Sequence, residues 1–506
     1  MAGKQLIKNS FIGIIQFILT AILTLISVPV FIHKLGMELY GIFAVVSVVG
    51  NLNLLANFGL NSALLVYVAK QGKCRESDHD IVVTLIIMGA LTTIFTILAI
   101  VFRDFIIQDV FSIPVEYKVE AKNLLLFLVF ANSFLLIGQT YAAIIDAKQK
   151  IHITYICQFI YSLIYWGGMI IVLTLGGHLT MIGMIAFITS VIWFFLVMFF
   201  SRRIWGKLEM NGVLKNFKKT AKKQLTYGFK IYLAGLTGFM FEPFSKILLS
   251  NFIGLNAVAL FEIGIKIKSQ INGLFSKGFY PLLPYIANSP DNYDLKSKVF
   301  DFSKKIQLIV IPICIVLVFI LTVLTNLWLG NGNFKQASAF TITLTISMLL
   351  FSTPILPIYQ YLAAKNKADK NIWIQFSSVI VNAILFITFY RIMGLYTILF
   401  SNLFAFLASY SIGNYYHYKY LGANFRKERP YYLKLIIFGI TCTLVCVLVR
   451  HFIPFSLWDL LIYPFIVVIS FIFFVRKQKL INNDDLELYF GYIPFLKNNL
   501  TRLLIV

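Results

Sequence analysis

The chain has 506 residues, of which 59% are hydrophobic, 16% aromatic and only 13% charged, whereas soluble globular domains carry roughly 25% charged residues. This composition excludes a water-soluble enzyme and a disordered protein, and the mean hydropathy of +0.83 indicates a membrane protein. Because the sequence lacks long alternating strands, we predict an all-α polytopic fold rather than a β-barrel. The net charge of +23 is therefore considered first as a topology signal, and no nucleic-acid partner is expected.

Apolar runs of about 20 residues, the length that a helix needs to cross the hydrocarbon core, recur along the whole chain. They predict about fourteen transmembrane helices, at residues 9–32, 39–68, 81–102, 121–145, 152–175, 180–201, 226–252, 256–286, 303–328, 336–363, 371–391, 394–417, 432–450 and 457–475. The segment after residue 480 is too polar to span and is expected to form an interfacial tail.

The segments between the predicted spans divide the positive charges unequally. With the N-terminus in the cytoplasm, about 32 of the 44 Lys and Arg residues lie on the inner side and about seven on the outer side. The positive-inside rule therefore predicts that both termini are cytoplasmic. The densest cationic block, from Arg202 to Lys223, is also suited to bind anionic membrane lipids.

The chemistry-bearing residue types form no catalytic or metal-binding pattern. The five cysteines and six histidines have no metal-ligand spacing, and no Gly-rich phosphate loop precedes a predicted helix. The predicted outer loops are short, which leaves no outer domain to hold an active site. We therefore predict a protein without metal or cofactor that is not an enzyme.

Two parts of the chain resemble each other at a fixed offset. Residues 64–69 (LLVYVA) match residues 282–287 (LLPYIA) at an offset of 218, which is 282 − 64, and Gly36 falls on Gly254 at the same offset. Six predicted spans separate the copies, so both have the same orientation and form a parallel repeat. We predict two parallel six-helix lobes, at 1–218 and 219–430, two additional helices within 431–480, and a cytoplasmic tail at 481–506.

Spans seven and eight carry ionisable residues, which are costly at membrane depth and indicate a functional site. Glu242 precedes Lys246 by four residues and Glu262 precedes Lys266 by four, so each pair shares a helical face in the favourable order. An alternative is that these are neutral pairs packed between helices. The predicted substrate-binding cations are Lys246, Lys266, Lys268 and Lys277, and the predicted coupling or protonation residues are Glu242 and Glu262.

Neutral polar residues form two further stripes at helical spacing. Asn53, Asn57 and Asn61 in span two are predicted substrate-binding residues because their amides suit sugar hydroxyls, but bonding to neighbouring helices explains them equally well. The stripe in span one favours helix packing over binding; it comprises Gln16, Thr20, Thr24 and Ser27.

Several segments together resemble the Wzx-type polysaccharide flippases, whose superfamily includes MATE multidrug exporters and the lipid II flippase. They are residues 4–10 (KQLIKNS), 35–41 (LGMELYG), 57–62 (NFGLNS) and 147–150 (AKQK). The resemblance implies two six-helix lobes around a cationic cavity. It further implies alternating-access translocation of an undecaprenyl-pyrophosphate-linked oligosaccharide across the bacterial inner membrane, for O-antigen or related polysaccharides, with a polysaccharide polymerase as a further partner. Many members have fewer spans than this chain is predicted to have, and the last two predicted helices are additional to theirs.

Two other functions stay open at this point. A MATE-like multidrug or cation antiporter needs an excess of carboxylates in its cavity, whereas spans seven and eight contain two Glu and five Lys. An integral-membrane polymerase or ligase acting on lipid-linked sugars is expected to have a large outer loop rich in Arg or His, which the sequence lacks.

Overall fold

The computed structural model describes residues 2–50, 57–148, 150–279, 286, 290–330, 334–365, 367–452 and 456–481. These residues form helices joined by short connections, with no β-strand among them. The α-helices longer than one turn are α1 (Ala2–Gly50), α2 (Leu60–Gln71), α3 (Arg75–Val101), α4 (Lys118–Ala147), α5 (Ile151–Thr174), α6 (Leu179–Trp205), α7 (Val213–Phe252), α8 (Leu255–Phe279), α9 (Tyr293–Leu329), α10 (Phe334–Ser347), α11 (Leu356–Ala364), α12 (Ala368–Met393), α13 (Thr397–Leu421), α14 (Phe425–Phe452) and α15 (Asp459–Gln478).

Ten segments of the described chain are long and apolar enough to cross a membrane. They are Ile15–Val48, Arg75–Val101, Val115–Ala147, Ile151–Thr174, Leu179–Trp205, Tyr293–Leu329, Lys335–Ala364, Asp369–Leu421, Arg426–Phe452 and Asp459–Gln478. The segment Asp369–Leu421 contains both α12 and α13. The described parts of the fourteen predicted spans are mostly helical, and the main exception is residues 57–59. The prediction of an all-α polytopic membrane protein is confirmed.

Helix α1 reverses direction at Gly36, which has a left-handed φ of 83°. The rings of Phe31 and Phe43 have centroids 4.9 Å apart, whereas twelve residues of straight helix would separate them by about 18 Å. The two arms of α1 are therefore antiparallel and correspond to the first two predicted spans. Gly254, 218 residues later, also has a positive φ, of 118°, at the turn between α7 and α8. The two glycines that the predicted repeat aligns thus both lie in helix-reversing turns.

The predicted span 39–68 is wrong in one respect, because its helix does not continue to its end. Residues 57–59 form a turn before α2 begins at Leu60, with positive φ at Phe58 and Gly59. A Cβ on Gly59 would lie 2.1 Å from the carbonyl oxygen of Gly228 on α7. This close backbone approach requires glycine and explains why an apolar run does not form one helix here.

The described chain divides into two compact units. One comprises Met1–Gln270 and Asp369–Ala405, and the other Ile271–Ala368 and Phe406–Val506. The first unit contains α7 and most of α8, which the repeat assigns to the second lobe; the predicted lobe limits stay a prediction. In the second unit, the two additional helices α14 and α15 pack on α9 through a buried apolar cluster that includes Phe319, Phe438 and Tyr463.

Candidate functional site

The charged residues of α7 and α8 are brought together by the turn at Gly254. Lys246 lies eight residues before this turn and Glu262 eight residues after it, so the antiparallel arms place them at the same level. Both residues belong to the first compact unit. The local geometry of the hairpin thus builds an ionic cluster from two helices.

Glu262 is the centre of this cluster because it contacts two lysines. Its Oε2 lies 2.7 Å from Nζ of Lys246, and its Oε1 lies 3.1 Å from Nζ of Lys266. The Glu262 and Lys246 side chains are only 7% and 8% exposed. Lys246 Nζ also donates to the carbonyl oxygen of Ala44 at 3.4 Å. Lys246 is therefore held by α8 and by the second arm of α1.

A second ion pair joins the same helices with the charges exchanged. Lys268 of α8 donates to Oε1 of Glu242 on α7 at 2.7 Å. The expected pair within α8, Glu262 with Lys266, is confirmed, but the expected pair within α7 is wrong: Glu242 contacts Lys268, and Lys246 contacts Glu262. The reason is that Lys246 extends toward the facing arm of the hairpin instead of along its own helix.

Lys266 differs from the other two lysines in its exposure. Its side chain is 23% exposed, compared with 8% for both Lys246 and Lys268. Its Nζ lies 5.5 Å from the ring centroid of Trp166 on α5, within cation–π range. The five charged residues described here carry a net charge of +1, from three Lys and two Glu, so the cluster favours an anion.

Trp166 was not among the residues predicted from the sequence. The available signal was its spacing, since Trp166 lies four residues after the buried Ser162 and therefore on the same face of α5. A polar network that includes Ser245, the neighbour of Lys246 in sequence, was also not predicted. Asn382 donates to Ser245 Oγ at 2.8 Å and accepts from Ser401 Oγ at 2.6 Å, and all three are buried. This network joins α7, α12 and α13.

The remaining predicted site residues lie apart from the ionic cluster or outside the described residues. Asn61 donates to Gln139 Oε1 at 3.4 Å and accepts from Thr140 Oγ1 at 3.0 Å, both on α4, which is a helix-packing arrangement. Asn57 accepts a hydrogen bond from the backbone N–H of Asn61 at 3.2 Å. Asn53 lies outside the described residues, as does the side chain of Lys277.

Comparison with protein families gives one match. Residues 6–290, or 285 of the 506 positions (290 − 6 + 1), fit the model of a family described as polysaccharide biosynthesis protein. The chain belongs to the polysaccharide biosynthesis protein family. The comparison with curated protein sequences gives no match.

Solved structures give the same fold at low identity. A lipid II flippase, MurJ, in an inward closed conformation is 18% identical with a TM-score of 0.75, over 92% of this chain and 98% of that chain. An inward-facing MATE family transporter of the MOP superfamily is 14% identical with a TM-score of 0.65, over 82% and 98%. A Vibrio cholerae MATE transporter is 13% identical with a TM-score of 0.58, over 83% and 97%. This member of the polysaccharide biosynthesis protein family therefore has the fold of these transporters, as its sequence resemblance predicts.

Proposed function

We propose that the protein is a flippase that moves an undecaprenyl-pyrophosphate-linked oligosaccharide from the cytoplasmic to the outer leaflet of the bacterial inner membrane. The product would be used for O-antigen or a related polysaccharide. The observation that carries the proposal is the buried cluster in which one carboxylate, Glu262, faces two lysines, Lys246 and Lys266. Ionisable groups at membrane depth are expensive and mark transport pathways, and a net positive group of them suits a substrate that carries negative charge.

The sign of the charge favours this function over the cation antiporter. An exporter of organic cations requires carboxylates that are not neutralised by nearby lysines. Glu242 and Glu262 are both in ion pairs, with lysines in excess. The electrical gradient acts in the same direction, since each negative charge that leaves a negative cytoplasm gains about 2.3 kcal/mol per 100 mV.

The structure supports different roles for the predicted residues. Lys266 is the most exposed of the described lysines in the cluster, so we assign it direct contact with the substrate. Lys246 and Lys268 are buried against carboxylates, and their proposed contribution is the positive field of the site. Glu242 is 39% exposed and Glu262 is 7% exposed, which makes Glu242 the more accessible candidate for a coupling proton.

Other predicted residues keep their proposed roles without contacts in the cluster. Asn57, Asn61 and Asn53 remain candidates for binding sugar hydroxyls, and Lys277 for binding an anion. Alternating access is proposed to arise from movement between the two repeated lobes. A polymerase that uses the product at the outer face is a proposed partner, and this chain itself is proposed to have no catalytic role. Both termini are proposed to be cytoplasmic.

The test is a deletion strain of the source organism with no second flippase, complemented by this gene. The proposal predicts that the deletion removes the surface polysaccharide and that lipid-linked repeat units accumulate in the inner leaflet. Complementation restores both to normal. A polymerase or ligase would instead leave single repeat units exposed at the outer leaflet, and an exporter of drugs would leave the polysaccharide unchanged. Either result would overturn the proposed function.

A further inference from the structure

We infer that Lys266 and Trp166 form a subsite for a sugar that carries a single carboxylate, such as a hexuronate in the transported oligosaccharide. This inference rests on the proposed flippase function and specifies its substrate class. It begins with the difference in exposure among the three lysines. Lys246 and Lys268 are fixed in buried ion pairs, whereas Lys266 shares its carboxylate with Lys246 and retains an exposed part.

The charge of the subsite matches one negative charge. Glu262 neutralises one of its two lysines, so the three residues together carry +1. A monoanionic carboxylate at Lys266 makes the group neutral. A doubly charged phosphate would leave excess negative charge close to Glu262, which is unfavourable in a medium of low dielectric constant. Glu262 therefore acts as a positioning residue that selects a carboxylate over a dianion.

Trp166 provides an apolar surface beside this cation. Its ring centroid lies 5.5 Å from Lys266 Nζ, and the indole is half-buried on the inward face of α5. A hexuronate presents C–H groups on one ring face and a carboxylate at its edge. An indole next to an ammonium group suits both parts, because the C–H groups are weakly positive and are attracted to the negative face of the aromatic ring.

Polar groups border the same face of α5, and among them the half-buried Gln16 and Thr20 can hydrogen-bond sugar hydroxyls. Ser162 precedes Trp166 by one helical turn, a rise of about 6 Å. Ser162 Oγ accepts from Thr20 Oγ1 at 3.3 Å, and Thr20 Oγ1 accepts from Gln16 Nε2 at 3.1 Å. The Gln16 and Thr20 side chains are half-buried, so the polar stripe of α1 borders the Trp166 face. An acidic sugar requires a cation, an apolar ring face and hydrogen-bonding groups, and all three are thus adjacent in one compact unit.

The experiment compares two synthetic substrates in proteoliposomes that contain the purified full-length protein. Both are undecaprenyl-pyrophosphate-linked disaccharides, and they differ only in a glucuronate or a glucose as the terminal sugar. The rate at which each becomes accessible to an impermeant glycosidase on the opposite side measures translocation. For the wild type we expect translocation of the glucuronate substrate to be about tenfold faster, as a charge-assisted contact provides.

Variants separate the subsite from the rest of the protein. Lys266→Gln should abolish the preference for the glucuronate substrate, because the contact with the ammonium group is lost, whereas Lys246 still pairs with Glu262 and preserves the local fold. Trp166→Leu should reduce both rates. Lys122→Gln is the matched control, since Lys122 pairs with the exposed Asp104 outside the cluster, and should retain the wild-type ratio.

The outcomes distinguish the subsite from the function. Equal wild-type rates for the two substrates, or a Lys266→Gln protein that keeps the preference for glucuronate, would overturn the subsite while the flippase function stands. Failure of the wild type to move either substrate would overturn the proposed function itself. A preference lost in Lys266→Gln and kept in Lys122→Gln supports the subsite.

Discussion

Lys246 and Glu262 lie on different helices, with 2.7 Å between the lysine Nζ and the carboxylate Oε2. They meet because each is eight residues from Gly254, where the chain reverses. The same carboxylate also holds Lys266, so the hairpin of α7 and α8 contains one acid between two bases. The shared carboxylate and the ion pairs between the two helices predict how charge substitutions change the stability of the protein.

The crossed pairing can be tested by charge exchange. Glu242→Lys should destabilise the protein by about 3 kcal/mol or more, because it leaves the buried Lys268 beside a like charge. Adding Lys268→Glu should recover most of the lost melting temperature. Adding Lys246→Glu instead should not, since Lys246 does not contact Glu242. Thermal unfolding of the purified variants in detergent measures this, and recovery by the second combination alone would contradict the crossed arrangement.

The central position of Glu262 predicts an order of stabilities. Lys246→Met leaves Glu262 paired with Lys266 and should lower the melting temperature slightly. Glu262→Ala leaves both lysines without this partner and should cost about 3–5 kcal/mol. The double variant with Lys246→Met and Glu262→Ala should be more stable than Glu262→Ala alone, because one buried charge is removed. Equal melting temperatures for the two single variants would show that Glu262 is not shared.

The turn before α2 predicts a position that tolerates only glycine. Gly59→Ala combines a positive φ with a Cβ 2.1 Å from the Gly228 carbonyl oxygen and should prevent stable folding or strongly reduce protein yield. Gly212→Ala is the matched control, because Gly212 has a similar left-handed conformation, φ 77° and ψ 5°, and the atom nearest its Cβ position is the end of the Arg75 side chain, at 3.3 Å. It should cost only the backbone strain of about 1–2 kcal/mol. Similar yields of folded protein for both variants would indicate that the close approach is absent.

The native cysteines provide a test of topology. Cys74, between α2 and α3, is exposed, whereas the other four, Cys157, Cys314, Cys442 and Cys446, are buried. A hydrogen bond with Ser77 lowers the pKa of the Cys74 thiol, which increases its reactive thiolate fraction at neutral pH. The predicted topology places Cys74, which follows the second predicted span, on the cytoplasmic side. An impermeant maleimide should therefore label the protein in inverted membrane vesicles, which expose that side, and not in right-side-out vesicles. Cys74→Ser should remove the label. Labelling in right-side-out vesicles would show that the predicted orientation is wrong.

The helices and their order were predictable because hydrophobicity alone sets the length of a membrane span. The break at residues 57–59 was not predictable, since it depends on the backbone of Gly228, which is distant in sequence. The contact between Glu262 and Lys266 followed from their spacing within one helix. The contacts of Lys246 and Glu242 with the facing helix could be predicted only by first locating the turn between α7 and α8. The equal spacing of Lys246 and Glu262 from Gly254 was the available sequence signal for the first of these contacts.

Translocation by the purified protein alone tests the proposed flippase function without other cellular components. Proteoliposomes are prepared with labelled undecaprenyl-pyrophosphate-linked oligosaccharide in both leaflets, and an impermeant glycosidase outside removes the accessible sugar. Cys74 labelling verifies that the protein is folded and inserted in a known orientation. The flippase account predicts that nearly all of the sugar is released, because the inner pool is continuously transferred outward. Release that stops once the outer pool is exhausted would contradict it.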